Sequence, residues 1–282
     1  MKRILCAAFL ALVLAQLAAM GTAQTGMRMS NLVDSASQER LRAALLAAKV
    51  PKGRVERVLE EVSAYNRAVG EALPVQAGFA PFDGLPAYDP ERIGALWQAA
   101  YPDWIGLNCR LTAMSVLADA VRVEHPSKTP ALGLALDEVA LDAAPRQVLT
   151  RAERARFATL FGAIPTEGST DPLRQRARHG AHWVQLGVRF GGSSQARMVS
   201  VLLHTHFAPG EDELLVGHVG VLLEEDEGFL FFEKLSFELP YQLLSFSTTE
   251  QLREYLLSTY DLDTTGESAP AMLLIDGEPF DA

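Results

Sequence analysis

The chain has 282 residues, with 25 lysines and arginines against 35 aspartates and glutamates, and a formal net charge of -10 at pH 7. That balance opposes nucleic-acid backbones and anionic lipid as partners and leaves neutral or peptidic ligands open. The length allows one large domain or a domain with a helical extension.

The N-terminus reads as a secretory signal. Lys2 and Arg3 precede an apolar run from Ile4 to about Met20, and Gly21-Thr22-Ala23 supplies the small residues of a cleavage site after Ala23. The alternative is an uncleaved membrane anchor, but the run is short for a span. Cys6 lies inside the run, not just behind a cleavage site, which argues against lipid attachment. Cleavage leaves a net charge of about -12 and a single cysteine, Cys109, so the mature chain contains no disulfide. No later segment is apolar for long enough to span a bilayer. The expectation is an exported protein, periplasmic or secreted. It comprises a signal peptide (1–23), an N-terminal helical region (24–102) and an α+β region (103–282), the last two forming one continuous domain.

The first half has helical periodicity. Leu41, Ala44, Leu45 and Ala48 mark a helix from Ser35 to Val50, which Pro51 interrupts. Val55, Val58, Leu59, Val62 and Tyr65 mark a second. Residues 70–90 are rich in Gly and Pro and read as a loop, followed by a short helix over 91–100. Asn108 is a good N-cap, and Leu111, Met114, Leu117 and Ala118 form an apolar stripe behind it, so Cys109 falls in the first turn of a core helix. Residues 131–144 mix apolar and acidic side chains and stay ambiguous. Residues 151–161 read as a helix with Thr150 as its cap.

The second half reads as sheet. Residues 198–207, 214–224 and 229–237 are rich in β-branched, leucine and aromatic residues, with Glu225-Asp226-Glu227-Gly228 as a hairpin turn. Thr248 and Gln251 form a capping-box pattern before a helix through Leu257. Residues 271–275 suggest a last strand, closed by Asp276-Gly277. The predicted fold is α+β, with N-terminal helices and a central helix packed on a C-terminal antiparallel sheet.

Three residues carry the candidate chemistry. A thiol in the opening turn of a helix faces unpaired backbone N–H groups and the positive end of the dipole, which favour the nucleophilic thiolate. The alternative for Cys109 is a packed, inert thiol, since free cysteine is among the most buried residues. His218 interrupts an otherwise apolar strand and needs a partner there, and the flanking Gly217 and Gly220 suggest close approach of a ligand or another backbone. Glu233 is a charge within the next apolar strand. An even-numbered turn puts His218 and Glu233 on one face, opposite or diagonal, whereas an odd one brings Lys234 instead. A carboxylate beside an imidazole fixes its tautomer and stabilises its charged form. Nucleophile, base and orienter are the parts of thiol-dependent acyl transfer, with the Cys109 backbone N–H and the Asn108 side chain as oxyanion-hole candidates.

This order of residues resembles the papain-like superfamily, in particular the compact bacterial cell-wall amidases and endopeptidases related to NlpC and the CHAP domain. The matching pieces are Asn108-Cys109 opening a helix, Gly217-His218-Val219-Gly220-Val221 on a strand, and a polar residue on the following strand. The resemblance spans residues 104–237 and implies a papain-like fold and a peptide or peptidoglycan-like small substrate, with no cofactor. The chain departs from those enzymes in three ways: Asn108 stands where they commonly carry an acidic residue, Glu233 is a less usual orienter, and the Cys109–His218 interval is long.

The chain also resembles a family of exported bacterial proteins of unknown function. The shared patterns are Ser30-Asn31-Leu32-Val33-Asp34, Asn108-Cys109-Arg110-Leu111-Thr112-Ala113, Gly217-His218-Val219-Gly220-Val221-Leu222, Glu233-Lys234-Leu235-Ser236-Phe237 and Pro240-Tyr241-Gln242. That resemblance covers most of the mature chain. It implies an exported location and supplies no activity.

Other readings stay open. One is a non-catalytic, envelope-associated binding protein on a papain-like scaffold. Another is a metal-dependent hydrolase using His204 and His206, which share one face of a strand, with His218, Glu211 or Asp212 as third ligand. His179 and His182 read as surface residues. Gly191-Gly192-Ser193-Ser194 reads as a plain turn, and Asp261-Leu262-Asp263 lacks the distal Glu of a calcium loop. Ser193, Ser194 and Ser200 lack a nucleophile-elbow motif. Nothing in the sequence sets an oligomeric state.

Overall fold

The computed structural model describes residues 26–126, 133–206 and 210–280. The expected signal peptide and the strand exit at Phe207-Ala208-Pro209 lie outside the described residues.

In chain order the elements are β1 (Arg28–Ser30), α1 (Ser35–Ala47), α2 (Lys52–Val69), β2 (Ala80–Pro81), α3 (Pro90–Ala100), α4 (Cys109–Leu117), β3 (Val121–Val123), α5 (Ala135–Ala143), α6 (Arg151–Phe161), β4 (Ile164–Thr166), α7 (Pro172–Leu186), β5 (Val188–Phe190), β6 (Arg197–His206), β7 (Asp212–Glu225), β8 (Gly228–Lys234), β9 (Tyr241–Phe246), α8 (Thr249–Tyr260), β10 (Met272–Ile275) and β11 (Glu278–Pro279). The architecture is mixed α+β. Its main sheet runs β11-β10-β6-β7-β8-β9-β1-β2, with β4 also on β7, while β3 and β5 pair separately. The strand pairs are antiparallel.

The sheet is buried on both faces. On one side Val219, Val221, Leu230, Phe232 and Leu243 join the core with α1 to α4 and α6. On the other, Leu222, Phe231, Leu244 and Phe246 pack against Leu252, Tyr255 and Leu256 of α8. Such alternation is the period of two that a pleated strand imposes. Because neither face is solvated, the strands read as continuous apolar runs, and any charged residue within them needs a partner in the protein.

Two irregularities interrupt the pairing of β7. Against β6 the register slips between Val201, which pairs with His218, and Leu202, which pairs with Val216, so Gly217 is the extra residue of a bulge. On its other edge β7 pairs with β8 from Val221 to Glu225 and with β4 from Asp212 to Leu214. Between those stretches, residues 215–220 have no strand against them on that edge among the described residues. The sheet therefore has a window, and His218 stands in it.

Several elements escaped sequence reading. The strands β1 and β2 carry only three and two residues, too few to show a period, yet they place part of the expected N-terminal helical region in the sheet. The helix α7 was hidden by its arginine-rich exposed side. It has Asp171 as N-cap, Pro172 at its first turn and Gly187 in the left-handed region at its end (φ 65°). The helix α5 occupies most of the ambiguous stretch.

Candidate active site

Cys109 opens α4. Asn108, in extended backbone, caps the helix by accepting a hydrogen bond from the Leu111 N–H (3.0 Å). Its amide nitrogen donates to Asp137 Oδ1 (2.8 Å) on α5. Arg110 grips the same carboxylate with two donors, Nε at 3.2 Å and Nη2 at 2.6 Å. The residues on either side of the cysteine are thus fixed by one buried carboxylate.

His218 and Glu233 arrive through the hairpin. Glu225 pairs with Gly228, so the turn holds two residues, and the even loop brings Glu233 to the His218 face. His218 Nε2 lies 2.5 Å from Glu233 Oε2. The second carboxylate oxygen accepts from Gln242 Nε2 (2.6 Å) and from the Tyr255 hydroxyl (2.8 Å). Tyr88 reaches Gln242 at 3.4 Å and is itself held by Asn31 Nδ2 at 2.9 Å. The Tyr260 ring stacks on the imidazole, 4.3 Å between centroids and 11° from parallel.

With Nε2 on Glu233, Nδ1 is the nitrogen left for the Cys109 thiol, and the two side chains lie close enough for each to shift the other's protonation. Alternation along β7 puts His218 on the α8 face of the sheet, whereas α4 lies on the opposite face. Thiol and imidazole therefore meet through the window between β4 and β8.

The electrostatics derive from this contact. Burial alone pushes the Cys109 thiol up, but the hydrogen bond and charge of His218, with Arg110 assisting, bring it below its ordinary value. Burial works against a charged His218, yet Glu233 and the thiol together raise it to about 9. Both shifts favour a thiolate–imidazolium pair at neutral pH. The site is closed: Cys109 is 7% exposed, and His218 and Glu233 are 1% exposed.

Lys234 faces the other way, as the even turn requires. Its buried ammonium donates to the carbonyls of Ser236, Phe237 and Leu239 and lies over the Tyr65 ring at 4.1 Å. Burial lowers it to about 7.

The glycines beside His218 have a packing cause. A Cβ on Gly217 would fall 2.3 Å from Leu203 Cδ1, and one on Gly220 would fall 2.3 Å from the Phe231 ring. Neighbouring side chains, not a ligand or a backbone, fill those spaces.

The second histidine pair is built differently. His206 Nδ1 lies 2.8 Å from Asp212 Oδ1, and His204 Nε2 is 3.4 Å from the same oxygen. His204 Nδ1 accepts the Ala269 N–H (3.0 Å), so in the neutral ring Nε2 carries the proton and offers no lone pair to a metal. Among the described residues no three His, Cys, Asp or Glu side chains are grouped to hold a metal ion. His218 lies beyond this pair, in the window, and does not join it.

Other candidates resolve simply. His179 is not a surface residue: it is 2% exposed, its ring lies 4.4 Å from that of Trp183 at a tilt of 51°, and burial lowers it to about 4. His182 is half-buried. Ser194 donates to the Ala48 carbonyl (3.3 Å), as part of a turn. Asp263 accepts from the backbone N–H groups of Thr265 and Ser268, folding its loop on itself. Among the described residues no helix is long and apolar enough to cross a membrane.

Sequence reasoning missed the supports of the imidazole. Gln242 and Asn31 sit in shared local patterns but show no pairing in sequence. Tyr255 and Tyr260 lie in an amphipathic helix, where an aromatic residue reads as core. Asp137 lay in the ambiguous stretch.

A model of a domain of unknown function, DUF4300, matches residues 28–278. The chain belongs to that family. No curated protein and no solved structure matches it.

Proposed function

We propose that this DUF4300 protein is an exported cysteine-dependent hydrolase or transferase of amide bonds, on a papain-like arrangement, with peptides of the cell wall as the substrate class. One observation carries the reading: a thiol at a helix start lies beside an imidazole that lowers it, and a doubly supported carboxylate holds that imidazole at Nε2.

In this mechanism the Cys109 thiolate attacks the amide carbon, and the carbonyl π electrons move onto oxygen. The backbone N–H of Cys109, in the first turn of α4, is the donor assigned to that oxyanion. When the C–N bond breaks, the His218 imidazolium gives its proton to the leaving amine, and a thioester remains on Cys109. Neutral His218 then takes a proton from water, or from an acceptor amine, as that nucleophile attacks the thioester. Thiolate and imidazolium are regenerated. Glu233 holds the imidazole in place throughout, its second oxygen taken up by Gln242 and Tyr255.

The test is the pH profile of Cys109 alkylation by a small thiol reagent in the folded protein. The expected midpoint lies below the ordinary value of a free thiol and moves up in His218→Ala. A midpoint unchanged by that substitution breaks the pair.

The burial of all three side chains favours a second reading, a binding protein in which Cys109 is packed and His218–Glu233 is a satisfied core pair. In that case Cys109 stays unreactive even to the small reagent until the protein unfolds.

A further inference from the structure

The geometry points to α5 as a cover over Cys109, latched by Asp137 and opened to admit substrate; this assignment rests on the thiol chemistry proposed above. Three attachments of α5 bracket the cysteine. Trp104 Nε1 donates to the Ala140 carbonyl (2.9 Å), Asn108 donates to Asp137, and Arg110 holds Asp137 with two bonds. Residues 104, 108 and 110 are thereby all tied to one nine-residue helix lying across the start of α4.

The other polar ties of α5 are to Arg154 of α6, a partly exposed side chain that donates to Asp142 (2.5 Å) and to the Leu141 carbonyl (2.8 Å). Leu136 and Val139 are 48% and 53% exposed, which leaves Leu134, Ala140 and Leu141 as its apolar anchors. A helix of this length is unstable alone in water and depends on its docking. The docking centres on Asp137, which is wholly buried although charged. An element held by one buried latch, one partly exposed arginine and few apolar anchors opens locally at less cost than the core strands beneath it.

The latch also opposes the chemistry while closed. The Asp137 charge pushes the Cys109 thiol up, against His218 and Arg110. It occupies the Asn108 amide, one of the two oxyanion-hole candidates. Lifting α5 therefore does three things in one motion: it uncovers the sulfur, frees that amide, and removes the opposing charge.

The test compares Asp137→Ala and Asp137→Asn with the wild type, following Cys109 alkylation by a small and a bulky reagent across pH. Opening raises the plateau rate at high pH, where every thiol is ionised, whereas loss of a nearby charge moves only the midpoint. The expected result is a plateau about tenfold higher or more in Asp137→Ala, larger for the bulky reagent, with Asp137→Asn between. An unchanged plateau in a folded Asp137→Ala protein overturns the cover. Should neither variant fold, amide hydrogen exchange in the wild type decides. Exchange of α5 ahead of α4 supports the cover, and equal protection overturns it. A low midpoint with an unchanged plateau rejects the latch and leaves the thiol–imidazole pair standing. A raised plateau with an ordinary midpoint does the reverse.

Discussion

Two imidazole–carboxylate pairs sit on the same strands, and only one has the makings of a site. His206 and Asp212 lie at the end of the β6–β7 ribbon, where the histidine side chain is one-third exposed and nothing nucleophilic faces it. His218 and Glu233 are wholly buried, with a thiol on the imidazole, two donors on the free carboxylate oxygen and a tyrosine ring on the imidazole face. An imidazole beside a carboxylate is thus a common structural pair. What sets one apart is that every remaining valence of both groups is already spoken for by a residue with a chemical use.

The comparison can be broken most sharply at His218. Replacing it with alanine strands the buried Glu233 charge, so urea unfolding should show a loss of about 3–5 kcal/mol. Activity should vanish with it. Cys109→Ser should abolish activity while changing stability by less than about 1 kcal/mol, since one small side chain replaces another. If the two variants lose stability equally, the thiol is a core element and not a reactive one.

The pH dependence of stability separates the pairs next. His218 is raised in the folded state to about 9 from 6.5. Its contribution is fully present below pH 6.5 and is lost as pH rises through 9. The lowered Cys109 thiol and Lys234 work in the opposite sense over the same window, so the imidazole is read without the thiol: the unfolding free energy of Cys109→Ser should fall between pH 6.5 and 9 relative to that of Cys109→Ser/His218→Ala. An identical slope in both proteins would contradict the raised imidazole.

Tyr255→Phe removes one of the two donors on Glu233 and should cost about 1–2 kcal/mol. It should also shift the alkylation midpoint, which a purely structural tyrosine would not do. The smallest effect belongs to the other pair. His206→Ala should change stability by less than about 1 kcal/mol, because a partly exposed ion pair is screened by solvent.

The parts of the fold that were legible in the sequence are those with a period or a cap. Asn108 announced the helix that Cys109 opens, and the capping boxes of α6 and α8 are present at Thr150 and Thr248. The central hairpin was legible because its strands are long and its acidic turn ends in Gly228. The window was not legible, since it arises from where β4 and β8 stop along β7, and no local pattern encodes a missing neighbour. Nor were the supports of Glu233. Gln242 belongs to a six-residue strand with no alternation to reveal it, and Tyr255 comes from a helix whose docking is a tertiary fact. A buried Asp137 within a mixed acidic and apolar stretch reads as surface until the folded chain shows what it touches.

The pairing of β1 with β9 has a consequence for the order of folding. Asn31, just after β1, reaches the Tyr241 carbonyl across 210 residues of chain (3.5 Å). The first strand can pair early with β2, Arg28 against Pro81, but its place in the main sheet waits for β9, near the end of the chain. Contacts of such long sequence separation are slow to form, because the loop must close before any pairing rewards it. The thiol, the imidazole and the carboxylate are brought together only late in assembly, after the last third of the chain is available. A nascent chain consequently carries Cys109 without its imidazole neighbour until β7 and β8 have been made and paired.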